Sequence, residues 1–124
     1  MEPAGRILVV EDNLLVARSF ASALQDQQFD VVLAESGEQA WEIVTTDPMG
    51  FDVAICDVNL TGLSGEELLE KLRGFAPYLR VVMTSGYVTD AVREKLNKLG
   101  AVAFLSKPVF PGELVATVRR VMPT

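Results

Sequence analysis

Five times along this chain a short apolar run is followed by a stretch whose apolar residues recur at helical spacing. The runs are Ile7-Leu8-Val9-Val10, Val31-Val32-Leu33, Val53-Ala54-Ile55-Cys56, Arg80-Val81-Val82-Met83 and Val102-Ala103-Phe104-Leu105. They are too short and, for the most part, too β-branched for helices. They are also continuous rather than alternating, as strands buried on both faces are. Between them, Val16, Phe20, Ala23 and Leu24 share one helical face. Ser36-x-x-Gln39 has the form of a capping box, opening a helix that buries Ala40, Trp41 and Val44. A third helix starts near Gly65 with Leu68, Leu69 and Leu72 as its core. Val92, Leu96 and Leu99 mark a fourth, ended by Gly100. Pro111 opens the fifth, whose inner face is Leu114, Val118 and Val121. Repeated β-then-α units of this kind require an α/β fold, a doubly wound parallel sheet with helices on both faces.

At 124 residues the chain reads as one domain, residues 1–124 with a core of about 6–121, leaving no room for an effector domain. No apolar run approaches the roughly 18 residues of a membrane span, and Met1-Glu2-Pro3-Ala4-Gly5 lacks the pattern of a secretory signal. The expected location is therefore the cytoplasm, with no membrane partner. One cysteine and no histidine exclude an internal disulfide, Cys/His zinc sites and His-dependent nucleophile pairs. Cys56 itself reads as a buried, inert thiol. The net charge of −6 divides unevenly, −12 over residues 1–70 and +6 over residues 71–124. Either the solvated helix faces differ, or an acidic site in the first half is matched by a basic docking face in the second. The overall acidity and the lack of a spare recognition element argue against direct nucleic-acid binding.

In a parallel sheet of this kind ligands bind at the carboxyl ends of the strands. The first run ends in Glu11-Asp12-Asn13 and the third in Asp57, with Asn59 two residues on. The fourth ends in Thr84-Ser85-Gly86 and the fifth in Ser106-Lys107-Pro108. One rim thus receives three carboxylates, a hydroxyl and an ammonium. Clustered carboxylates raise one another's pKa unless a cation is shared, and Mg²⁺ suits a small all-oxygen site. No glycine-rich nucleotide cradle is present.

Glu11-Asp12, Asp57, Ser85 before a small residue and Lys107-Pro108, in this order and each at a strand end, resemble the receiver domain of two-component response regulators over almost the whole chain. The resemblance implies a flavodoxin-like (βα)5 three-layer sandwich with strand order 2-1-3-4-5. It implies Asp57 as phosphoacceptor, with Mg²⁺ bound by Asp12, by Glu11 through water, by Asp57 and by the backbone carbonyl of Asn59. Lys107 and the Ser85 hydroxyl would hold phosphoryl oxygens. Side-chain alternation turns Thr84 away from that site and favours Ser85. Phe104 is either the family's switch aromatic or a plain core residue. As a switch it would couple Ser85 to the face formed by the fourth helix, fifth strand and fifth helix. The implied partners are a histidine kinase or histidine phosphotransfer protein, and an effector or second copy on that face.

Some positions depart from the family pattern. Glu11 replaces a frequent aspartate, and Thr61 stands where proline is frequent. Val109-Phe110 follows the lysine-proline pair, so Phe110 is either an exposed partner anchor or a hydrophobic staple. Leu14 and Leu15 are helix filler or, with Pro108, Val109 and Phe110, a patch for a helical phosphodonor. Asn59 and Tyr87 match positions that tune dephosphorylation. Two other readings remain. Asp57-x-Asn59-x-Thr61 is weakly similar to the haloacid dehalogenase signature, but Asn59 replaces its second aspartate. A receiver-like scaffold acting without phosphate is the other.

Overall fold

The structure, a computed structural model, describes residues 3–123; Met1 and Glu2 of the N-terminal segment, and Thr124, lie outside it. Strands and helices alternate throughout: β1 (Gly5–Val10), α1 (Leu14–Gln25), β2 (Phe29–Ala34), α2 (Gly37–Thr46), β3 (Val53–Asp57), α3 (Gly65–Phe75), β4 (Arg80–Ser85), α4 (Asp90–Lys98), β5 (Ala103–Ser106) and α5 (Pro111–Val121). The five strands form one sheet in the order β2-β1-β3-β4-β5, and every pairing is parallel. This is the expected doubly wound α/β architecture.

Alternation along the strands divides the core in two. Leu8, Val10, Ala54, Cys56, Val81 and Met83 pack with Ala40, Leu68, Leu72 and Leu96 of α2, α3 and α4. Ile7, Val9, Val53, Ile55 and Val82 pack with Phe20, Leu24, Leu114 and Val118 of α1 and α5. Helices therefore cover both faces, and only the strand ends stay open to polar side chains.

The helix faces differ in detail from the sequence expectation. The buried stripe of α1 is Ala17, Phe20, Ala21 and Leu24, with Val16 and Ala23 flanking it half-buried. In α4 only Leu96 is fully buried, and α5 inserts Thr117 between Leu114 and Val118 while Val121 is half-buried. Trp41 is half-buried too. It meets Phe75 edge-on, with ring centroids 5.3 Å apart, and carries the Lys71 ammonium over its face.

The two serine caps are unequal. Ser36 Oγ accepts the Gln39 N–H at 3.0 Å, but Gln39 Oε1 accepts from Glu35 rather than Ser36, so this box is half-formed. Ser64 and Glu67 make the complete reciprocal box at the start of α3, at 3.1 and 3.2 Å. Ser64→Ala is expected to lower stability to urea unfolding by about 1 kcal/mol, and Ser36→Ala by no more than that.

Candidate functional site

Three carboxylates meet at the carboxyl edge of the sheet. As the chain leaves β1, the Glu11 N–H donates to the Ala34 carbonyl at 3.1 Å, which keeps Glu11 against the sheet. Asp57 is the last residue of β3, and α3 starts directly behind it. A Cβ on Gly65 would fall 2.1 Å from the Asp57 carbonyl oxygen, so this helix approach requires glycine. Glu11 and Asp57 are only 3% and 5% exposed, whereas Asp12 is open to solvent. One oxygen from each of the three lies within 4.8 Å of the others.

The two buried carboxylates are satisfied in the same way. The Lys107 ammonium donates to Glu11 Oε1 at 2.6 Å and to Asp57 Oδ2 at 2.8 Å. Their remaining oxygens accept backbone N–H groups, Asn13 on Glu11 at 3.2 Å and Asn59 on Asp57 at 3.0 Å. Lys107 is itself anchored by its N–H to the Ser85 carbonyl at 2.8 Å, just before a cis Lys107–Pro108 peptide. Asn13, read from sequence only as part of a polar strand end, also caps α1 by accepting from Leu15 and Val16. An asparagine just before a helical apolar pattern is the signal that marks it.

Burial pushes the Glu11 carboxyl above its ordinary range, and the Asp57 charge adds to this; Lys107 and the Asn13 N–H pull the other way. Burial also works against the Lys107 ammonium, but its hydrogen bonds to Asp57 and Glu11 and their charges together hold its pKa above the usual lysine value. Cys56, fully buried behind the acids, has its thiol pushed far up by burial first and by Asp57 and Glu11 second. It is buried, as the sequence indicated, and burial favours the neutral thiol over the reactive thiolate.

The hydroxyls need one correction. The register sets Thr84, not Ser85, level with Asp57, so side-chain alternation puts Thr84 on the Asp57 face of the sheet rather than turning it away as expected. Ser85 is the last residue of β4, where the chain turns off the sheet. Its hydroxyl accepts from the Asn59 amide at 3.3 Å and donates to the Tyr87 carbonyl at 3.0 Å. Asn59 thereby bridges Asp57 and Ser85. The Tyr87 ring is exposed, and it is the Tyr87 backbone that meets Ser85. The Thr61 hydroxyl stands 3.4 Å from Asp12 Oδ2. Phe104 is half-buried against the α4 side of the core, with the Arg93 guanidinium 4.8 Å from its ring centre.

Beside the rim, a groove of about 510 Å³ runs between α1 and the β5–α5 connection, lined by Leu15, Val16, Phe20, Pro108 and Val109. Leu15 belongs to it, while Leu14 lines a different depression beside Glu11 and Asp12. Phe110 is exposed at the N-cap of α5, which decides against the staple. Among the described residues no helix is long and apolar enough to cross a membrane.

Comparison with known proteins agrees with this fold. Residues 7–119 match the response regulator receiver domain family. The chain is 32% identical over 113 residues to the alginate biosynthesis transcriptional regulatory protein AlgB of Pseudomonas aeruginosa, covering 91% of this chain and 25% of that protein. It is 32% identical over 116 residues to the sensor kinase CckA of Brucella abortus, covering 94% of this chain and 12% of that one. The chain thus spans a quarter or less of these two relatives. The solved structure of the chemotaxis protein CheY4 of Vibrio cholerae superimposes with a TM-score of 0.88 at 27% identity, covering 95% of this chain and 98% of that one. With residues 7–119 matched by the family and two relatives at 32% identity over more than nine-tenths of its length, the chain belongs to the response regulator receiver domain family.

Proposed function

We propose that Asp57 is the phosphoacceptor of this receiver domain, taking residues 1–124 as a single signalling unit with a core of about 6–121. The observation that carries this reading is the setting of Asp57. It is a buried carboxylate at a strand end, held between the Lys107 ammonium and the Asn59 N–H, with Glu11 and Asp12 oxygens beside it. An all-oxygen donor set containing one solvent-facing carboxylate suits Mg²⁺, held by Asp12, Asp57, the Asn59 backbone carbonyl and, through water, Glu11. When bound, the ion supplies charge neutralisation to the phosphoryl oxygens.

A carboxylate oxygen of Asp57 attacks the phosphorus of a phosphohistidine. The P–N bond breaks as the P–O bond of an acyl phosphate forms, and the imidazole takes up a proton from solvent. Lys107 already points its ammonium at Asp57, so it meets the developing phosphoryl charge without rearranging. The Ser85 hydroxyl leaves Asn59 for a phosphoryl oxygen, and Phe104 moves into the space it vacates, changing the α4–β5–α5 surface. Hydrolysis reverses the state: water attacks phosphorus, inorganic phosphate leaves and the Asp57 carboxylate returns.

The donor in this reading is a histidine kinase or a histidine phosphotransfer protein in the cytoplasm. Its helix lies in the groove between α1 and Pro108-Val109, with exposed Leu15 and Phe110 at the margin. One matching relative is itself named a sensor kinase. An effector protein or a second copy reads the α4–β5–α5 face, where the Arg93 guanidinium lies over the Phe104 ring. Incubation with acetyl phosphate and Mg²⁺ is expected to add one phosphoryl group to the intact protein, mapped by peptide mass to Asp57. No added mass, together with an unchanged melting temperature in Mg²⁺, would favour the phosphate-independent scaffold instead.

A further inference from the structure

The loop between β3 and α3 carries Asn59, and its far side is held by the first turn of α2. The Leu63 N–H donates to Glu38 Oε2 at 3.0 Å, across 25 positions of sequence. At Gly62 the backbone has φ +77°, and a Cβ there would lie 2.5 Å from the same carboxylate oxygen. Only glycine lets Glu38 lie against the loop backbone at this point. Gly37 completes the seat, since a Cβ on it would fall 2.6 Å from the Leu63 carbonyl oxygen. Two adjacent residues of one helical turn therefore grip Gly62 and Leu63.

The other parts of the loop are fixed separately. The Gly65 N–H donates to the Val58 carbonyl at 3.1 Å, the Ser64–Glu67 box starts α3, and Leu60 is buried. What remains is the segment 61–63, which includes the Thr61 hydroxyl beside Asp12. Glu38 is its one side-chain hydrogen-bond acceptor from α2 among the described residues. A glutamate in the first turn of a helix ordinarily faces solvent and answers the helix dipole. Here its carboxylate is committed to another segment.

We infer that Glu38 is a positioning residue for the phosphoacceptor site. By holding Leu63 and Gly62 it sets segment 61–63, which places the Thr61 hydroxyl beside Asp12 and continues the loop from Asn59 and Leu60. This rests on the role proposed above for Asp12 in holding Mg²⁺. Glu38 touches none of the reacting atoms.

The test compares Glu38→Ala with Glu38→Gln, whose amide oxygen still accepts the Leu63 N–H. Glu38→Ala is expected to weaken Mg²⁺ binding, measured by calorimetry, by about fivefold. It should also speed amide hydrogen exchange at residues 61–64. Labelling by acetyl phosphate should slow at limiting Mg²⁺ and recover at saturating Mg²⁺, while Glu38→Gln follows wild type in all three measurements. Unchanged Leu63 exchange and Mg²⁺ affinity in Glu38→Ala would overturn the inference. So would a Glu38→Gln defect as large as that of Glu38→Ala, which would assign the effect to charge rather than contact. Exchange at Leu63 is read without Mg²⁺ or donor. If wild type neither binds Mg²⁺ nor accepts phosphate, that failure counts against the proposed function, and the exchange data alone decide whether Glu38 holds the loop.

Discussion

Asp57→Asn is expected to reduce labelling by acetyl phosphate more than about a hundredfold while leaving the fold intact, because the amide that replaces the carboxylate is not a nucleophile. The geometry makes the substitution a clean one. Its amide oxygen can keep the Asn59 N–H bond, with the amide NH2 then turned toward the Lys107 ammonium, which keeps its bond to Glu11. Glu11 loses the neighbouring charge that helps to raise its pKa, which offsets part of the lost Lys107–Asp57 interaction. Stability in urea should therefore stay within about 1 kcal/mol of wild type. Mg²⁺ affinity should fall, since one of three carboxylates is gone. Undiminished labelling in this variant would move the phosphoacceptor elsewhere.

Most of the fold is legible in the sequence because its central strands are buried on both faces. The runs starting at Ile7, Val53 and Val81 have no solvent side to obscure them. Legibility fades toward the edges of the sheet. β2 extends from Phe29 to Ala34, beyond its apolar run, because an edge strand tolerates exposed Asp30 at its start. Trp41 lies on α2 over that same side, which leaves part of its ring for Lys71 and Phe75. The acidic rim is legible for a different reason: in a parallel sheet, whatever polar residue follows a buried run must emerge at one edge. The relation of Ser85 to Thr84 is less so, because register and the turn out of β4 decide it, and periodicity contains neither. Glu38 gives no local signal at all. Its partner is a backbone N–H in a distant loop, and only the packing of α2 against that loop brings them together.

Lys107→Ala should produce the largest change in stability. Glu11 and Asp57 are almost wholly buried and share this ammonium, so its removal leaves two adjacent carboxylates with one backbone N–H each. Breaking a fully buried pair in this way costs about 3–5 kcal/mol; here the loss should fall below that range, because the Lys107 side chain is itself 23% exposed. The loss has a definite pH dependence. Burial already holds Glu11 above its ordinary value of 4.5, and Lys107 is one of the groups that lowers it. A carboxyl raised by folding costs stability as pH climbs from its unfolded value through its folded one. Deleting the lysine extends that window upward, so the deficit should be small near pH 4 and reach its full size at neutral pH. Mg²⁺ should then stabilise the variant more than wild type, because the ion no longer competes with an ammonium for the same oxygens. Labelling should nevertheless slow, since divalent charge can replace Lys107 in holding the carboxylates together but not in meeting the phosphoryl oxygen on its own side of Asp57. Urea unfolding across pH, with and without Mg²⁺, reads the first effect, and labelling at saturating Mg²⁺ reads the second. A variant as stable as wild type at neutral pH without Mg²⁺ would mean that the two buried carboxylates are neutralised by something other than Lys107.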